Sequence, residues 1–170
     1  THFLNFMLGP SVVALGYVLY EQMEYIRGNV ISMLTAVFAG SVVGIVCVVF
    51  VGKWMGADKI LTASLAPKSV TTPIAMCIAE QSGGIPALAA AFVVICGIFG
   101  GLVGPIVLRK MGIKSKVAKG LALGSASHAL GTVKAMEMGA IEGAISGLAI
   151  GIMGVMTALL IPVAKLLMLF

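Results

Sequence analysis

The sequence predicts an all-α polytopic membrane protein built from inverted repeats with broken and re-entrant helices. Three observations carry that expectation. The first is composition: the 170 residues are 60% hydrophobic and only 10% charged, where soluble domains carry about 25% charged residues. The second is spacing. Uncharged runs of 25, 28 and 22 residues separate Arg27 from Lys53, Glu80 from Arg109 and Glu142 from Lys165. A helix needs about 20 apolar residues to cross a bilayer, and a soluble core of this size cannot hide three such runs. The third is a duplication. Residues 8–28 and 123–143 are one segment written twice, 115 positions apart and without a gap. Nine of 21 positions are identical, from Leu8/Leu123 and Gly9/Gly124 through Ala14/Ala129 and Gly16/Gly131 to Gly28/Gly143. Chance gives roughly two in an apolar, Gly-rich chain, so nine in register argue for an internal repeat.

Each element follows in chain order. Thr1–Tyr20 is apolar but broken by Gly9-Pro10 and Gly16, because a proline ends or kinks a helix. Asn29–Gly52 is the cleanest spanning helix, and Lys53–Lys59 is a short polar loop. Ile60–Ala79 has the length of a span but is interrupted by Pro67, Lys68 and Pro73. A lysine in mid-span is expensive, so it should face water, a partner or a ligand. Ser82-Gly83-Gly84 is a turn. Pro86 suits the first turn of the next helix, which runs to about Leu108. Arg109, Lys110, Lys114, Lys116 and Lys119 form a basic loop.

Gly120–Val133 is uncharged for only 14 residues, too short to span. Ser125, Ser127, His128 and Thr132 make it polar as well. A re-entrant pair of half-helices fits, since irregular backbone survives at membrane depth only where protein or a water-filled cavity encloses it. Gly143–Ala164 is the last span. Gly139, Gly143, Gly147 and Gly151 recur every four residues, a small ridge that lets a neighbouring backbone approach.

Charge sets orientation. The net charge is +5, and the basic loop belongs in the cytoplasm. The helix from Pro86 then starts outside, the broken segment from Ile60 starts inside, and Asn29–Gly52 runs from outside to inside. The last helix runs from inside to outside. The two copies, 29–52 and 143–164, are therefore expected to point in opposite directions. Residues 1–52 read as the second half of repeat 1, 53–58 as a loop and 59–170 as repeat 2, all in one transmembrane domain. By the repeat offset, the N-terminal part of repeat 1 is absent: about 55–60 residues with two more membrane segments are expected before Thr1.

Other classes are poorly served. No basic face with interleaved aromatics suggests nucleic acid. Cys47, Cys77 and Cys96 form no CxxC or Cys/His cluster, so no metal or cofactor is expected. Asp58 is the single Asp, there is no GxSxG, HExxH or carboxylate pair, and an enzyme is not expected.

Two dense motifs, Ala66-Pro67-Lys68-Ser69-Val70-Thr71-Thr72-Pro73-Ile74-Ala75 and Gly120-Leu121-Ala122-Leu123-Gly124-Ser125-Ala126-Ser127-His128-Ala129-Leu130-Gly131-Thr132, closely resemble the CidB/LrgB family of bacterial membrane proteins. Gly83-Gly84-Ile85-Pro86-Ala87 and Glu142-Gly143-Ala144-Ile145-Ser146-Gly147 match too. Leu8-Gly9-Pro10-Ser11 resembles the family's LLGPAT stretch, with Ser11 where Thr is usual. The resemblance covers essentially the whole chain. It implies a multi-pass protein of the cell (inner) membrane, holin/antiholin-like, regulating murein hydrolase activity and autolysis with a small CidA/LrgA-type partner. A plant relative resembles a plastid-envelope glycolate/glycerate carrier, and bacterial members are linked to pyruvate. Small monocarboxylates are thus the implied substrate class. The resemblance supplies no residue-level mechanism.

The residues themselves suggest a site. Half-helix N-termini attract anions through unpaired N–H groups and the macrodipole, and short, Gly/Pro-interrupted segments in duplicated positions point to a transporter's binding site. Lys68, Ser69, Thr71 and Thr72 sit at one break. Ser125, Ser127, His128 and Thr132 sit at the other, and Gly9, Pro10 and Ser11 at the pseudo-symmetric tip of repeat 1. The expectation is that tips meet near the midplane to hold a carboxylate. Each residue also has a plainer role. Hydroxyls bond back to helix carbonyls, Lys68 snorkels to the interface, and His128 packs between helices instead of donating to substrate or coupling protons. Alternating access by such a carrier, as a homodimer, is the first functional reading. Antiholin-like regulation through the partner is the second.

Overall fold

The computed structural model describes Val13, Gly16, Tyr17 and residues 20–167. The helices are α1 (Met23–Arg27), α2 (Val30–Trp54), α3 (Lys59–Leu65), α4 (Thr72–Ser82), α5 (Pro86–Lys110), α6 (Lys116–Met138) and α7 (Ala140–Leu166). The described residues contain no strand. Helices α2, α5 and α7 are each long and apolar enough to cross a membrane, so this is a multi-pass, all-helical membrane protein. Large apolar side chains such as Phe38, Phe50, Ile95 and Phe99 project outward from α2 and α5. In lipid that exposure costs nothing, because acyl chains are as apolar as the side chains.

Local chemistry sets the shorter elements. Helix α3 starts where the Asp58 carboxylate accepts the Leu61 N–H at 2.7 Å, an N-cap, and it stops before Pro67. Helix α4 has Pro73 in its first turn and ends on Gly83, whose φ of 84° is left-handed, as a helix C-terminus favours. Helix α6 begins with the Ser115 hydroxyl accepting the Ala118 N–H at 3.3 Å.

The segment 59–82 enters and leaves at one end of the bundle. Gly52 faces Thr62, the Ser64 hydroxyl accepts the Ile85 N–H at 2.8 Å, and the Lys165 ammonium donates to the Ser82 carbonyl at 3.2 Å. Between those ends the break dips inward, so that Lys68 lines a cavity with Cys96 and Gly100 near the middle of α5. The segment expected to be a broken span is thus a hairpin that turns back on itself. Physically, helices of seven and 11 residues reach only about 10 and 16 Å, against a core of about 30 Å.

Helix α6 doubles back as well. A Cβ on Gly131 would overlap the carbonyl oxygen of Leu123 and lie 2.7 Å from the Ser127 Cβ. Residues eight apart in a straight helix are about 12 Å apart. The second arm returns to the basic loop, where Met138 lines a cavity with Arg109, Gly112 and Lys119. The two arms within 116–138 therefore fold back on each other, longer than the 120–133 segment read from the sequence.

Helices α2 and α7 cross where the Ser41 hydroxyl meets the Met153 sulfur at 3.0 Å. Before the crossing, Met33 and Val37 share an apolar cluster with Ile145 and Ala149. After it, Ile45 and Val49 cluster with Ile161 and Ala164. The two helices therefore run in the same direction, which corrects the expected inversion of 29–52 against 143–164. The cause is parity. Because 59–82 turns back instead of crossing, one crossing fewer separates α2 from α7. Asn29 and Ser32 accordingly line a cavity with Ser115 and Val117 at the basic end.

Candidate functional site

At the first tip, Val70 is fully buried and pins the break into the core. Lys68 beside it is half-buried. Its ammonium donates to the Ser69 hydroxyl at 3.2 Å, and no carboxylate of the described residues lies within ion-pair distance of it. Thr71 holds the N-cap position of α4 in extended backbone (φ −67°, ψ 151°), yet its hydroxyl makes no capping bond. The hydroxyl of Thr72 likewise bonds to no described residue. The first N–H groups of α4 open toward this tip, carrying the positive end of its dipole.

At the second tip, roles divide. The Ser125 hydroxyl donates to the Leu121 carbonyl at 2.6 Å, the ordinary back-bonding of a helical serine. The Thr132 hydroxyl donates to the His128 carbonyl at 3.0 Å and lies 2.7 Å from the Ser146 hydroxyl. Thr132 has one proton, so Ser146 donates to Thr132. These two candidates are spent on the scaffold.

His128 and Ser127 form the tip itself. His128 sits at φ 41°, ψ −129°, a region costly for any residue but glycine. It is 5% exposed, with Nε2 2.9 Å from the Val93 carbonyl oxygen. A carbonyl only accepts, so Nε2 carries the proton and Nδ1 of the neutral ring is the acceptor. A Cβ on Gly97 would overlap this ring, and one on Gly100 would overlap the Ser127 hydroxyl. Ser127 is 1% exposed, bonds to no described residue, and lines a cavity of about 370 Å³ with Lys68, Cys96, Gly100 and Ala126.

One residue from each tip, Lys68 and Ser127, therefore opens on the same cavity. Thr71, Thr72 and His128 do not line it. Gly9, Pro10 and Ser11 lie outside the described residues. Reading the sequence missed Val93, Gly97, Gly100 and Ser146, which seat the second tip. The signal was the run of small residues Gly97, Gly100, Gly101 and Gly104 on α5. The anticipated 139–151 ridge is close-packed only in part. A Cβ on Gly143 would meet the Met136 Cγ at 2.6 Å, whereas Gly151 has open space. Among the described residues no group of His, Cys, Asp or Glu is placed to hold a metal ion.

Three helices long and apolar enough to cross a membrane, with two shorter hairpins folded among them, define a multi-pass, all-helical membrane protein. The chain belongs to the LrgB-like family, whose pattern matches residues 1–167. It is 40% identical over 153 residues to the Bacillus subtilis protein YxaC, covering 90% of this chain and 66% of that one. It is 36% identical over 159 residues to the antiholin-like protein LrgB of Bacillus mycoides, covering 94% and 69%. The chain thus spans about two thirds of the length of the curated relatives it matches. No solved structure matches it.

Proposed function

We propose that this chain forms the larger part of a carrier for small monocarboxylates of the glycolate, glycerate or pyruvate kind, working by alternating access. The observation that carries the reading is Lys68. An intramembrane cation with no carboxylate partner is costly, and it faces the same cavity as an unpartnered, buried Ser127. A carboxylate would supply the missing charge and accept from both. The N-terminus of α4, on the same break as Lys68, would add the positive end of its dipole, while Ser69, Thr71, Thr72 and His128, which do not line the cavity, would act by shaping the two tips that do. Gly9, Pro10 and Ser11 would supply the related tip of repeat 1, and residues 59–170 would form repeat 2. The cytoplasmic face would be the one bearing the basic loop.

The test is uptake of labelled glycolate and pyruvate into proteoliposomes holding the full-length protein, beside Lys68→Gln and Thr71→Val. Saturable uptake that weakens in both variants is expected. Folded protein with no saturable flux of either acid would end the carrier reading. The comparisons favour a second reading, because relatives bear the name antiholin-like. In it the protein, as a homodimer, restrains murein hydrolysis and autolysis through a CidA/LrgA-type membrane partner. That reading needs the partner and tolerates change at Lys68 and Ser127.

A further inference from the structure

We propose that Lys68 is the junction of two half-pathways that open at opposite ends of the bundle, and that Cys47 and Cys96 report one each. The inference rests on the carrier reading and extends it to the route of the substrate. A cavity of about 550 Å³ runs from the 55–57 turn past Cys47, Val51, Leu61 and Leu65 to Lys68 and Phe92. The cavity of about 370 Å³ runs from Lys68 and Cys96 past Phe99, Gly100, Val103 and Val107 to Leu108, next to the basic loop, and is open along the side where Phe99 and Val107 are exposed. The first opens at the end holding Gly52, Thr62 and Ser82, the second toward the end holding Arg109.

Lys68 lines both cavities and is the one charged residue in either lining. A small carboxylate arriving from either end therefore meets the same ammonium. Apart from Ser127 the walls are apolar, so few polar side chains compete for that ammonium. A lysine on four rotatable carbons presents its three N–H groups to either side without moving its backbone. The second observation is Ser127. The residue is 1% exposed, its hydroxyl bonds to no described residue, and it lines the cavity leading to the basic end and not the other. The two states then differ in chemistry. Facing the basic end, the anion is held by Lys68 and Ser127 together. Facing the other end, it is held by Lys68 alone, since Ser69, which accepts from the ammonium at 3.2 Å, lines neither cavity.

The experiment uses full-length protein in proteoliposomes of known orientation, with every cysteine but Cys47, or every cysteine but Cys96, replaced by alanine. An impermeant maleimide is added from each face, and uptake of labelled glycolate is measured in the same preparations. Cys47 should react only from the face opposite the basic loop, and Cys96 only from the face bearing it. Glycolate at ten times its dissociation constant should slow both reactions about tenfold. Lys68→Gln should abolish that protection, and Lys68→Arg should keep part of it. Both thiols reacting from one face, or no protection in a preparation that still takes up glycolate, would overturn the two-sided path and leave the carrier standing. Absence of saturable uptake would remove the carrier reading and this inference with it.

Discussion

The two hairpins, 59–82 and 116–138, have the same outline and are broken by different means. In the first, the break is written locally. Pro67 and Pro73 bracket it, Asp58 caps its first arm and Gly83 closes its second. In the second, no proline falls between Lys116 and Met138. The turn rests on His128 at φ 41°, held by packing against Gly97 and by the Val93 carbonyl. A tip encoded by its own residues leaves its threonine hydroxyls unengaged and its ammonium bonded only to the neighbouring Ser69. A tip imposed by its neighbours spends most of its polar groups on holding itself in place. Lys68, Thr71 and Thr72 are accordingly underused, whereas Ser125 and Thr132 are fully engaged.

Breaking the second hairpin at its closest approach should have the largest effect. Gly131→Val places three carbons where one already overlaps the Leu123 carbonyl. A rigid backbone atom cannot yield, so a loss above about 4 kcal/mol is expected. It would be read as loss of full-length protein from the membrane fraction. Gly151→Val, at a position with open space, should leave that yield unchanged. Equal yields would show that the two arms of α6 are not in contact. Next comes Lys68→Gln. A hydrogen bond to a charged group contributes about 1.5–3 kcal/mol, so KM for the carboxylate should rise roughly 10- to 100-fold with little change in melting temperature. A large drop in thermal stability instead would make Lys68 a structural residue of the first hairpin.

These contrasts explain what was legible in the sequence. The three spans were, because an uncharged run of 22 residues or more has no other home. The position of both breaks was, because Pro67, Pro73 and the polar cluster at Ser125–Thr132 contradict a lipid-facing helix. The direction of 59–82 was not. Its 20-odd residues and its flanking lysines suit a crossing as well as a return, and only contacts such as Ser64 with Ile85 decide. That one choice inverted the predicted relation of α2 to α7. The seat of the second tip was also hidden. Gly97 and Gly100 matter for what they face, and a partner 30 residues away leaves no local trace. His128 stood out as a titratable residue in an apolar run, but nothing in the sequence announced its backbone.

That backbone gives a smaller and more specific prediction. His128→Ala and His128→Gly both remove the ring and its bond to Val93. They differ only at φ 41°, where a Cβ costs about 1–2 kcal/mol. The glycine variant should therefore be the more stable by about 1 kcal/mol, reversing the usual order inside a helix. Thermal melting of the two purified proteins decides it. A more stable alanine variant would mean that the turn relaxes to helical backbone once the ring is gone.

The smallest expected effect separates the hairpins most cleanly. A threonine at an N-cap ordinarily contributes about 1 kcal/mol through its hydroxyl. Thr71 occupies that position with the right backbone and makes no such bond. Thr71→Val keeps the shape and the β-branch and removes only the hydroxyl, so melting should shift by less than about 0.5 kcal/mol equivalent. Thr132→Val makes the same change in the second hairpin, where the hydroxyl bridges His128 and Ser146. Losing it leaves the Ser146 proton without its buried acceptor, at a cost of about 1–3 kcal/mol. Stability should therefore fall at Thr132 and hold at Thr71. Uptake should fall at Thr71 by more than the stability change accounts for. If both variants melt like the parent, the hydroxyls of the second tip are as free as those of the first, and the division between a self-encoded tip and an imposed one does not hold.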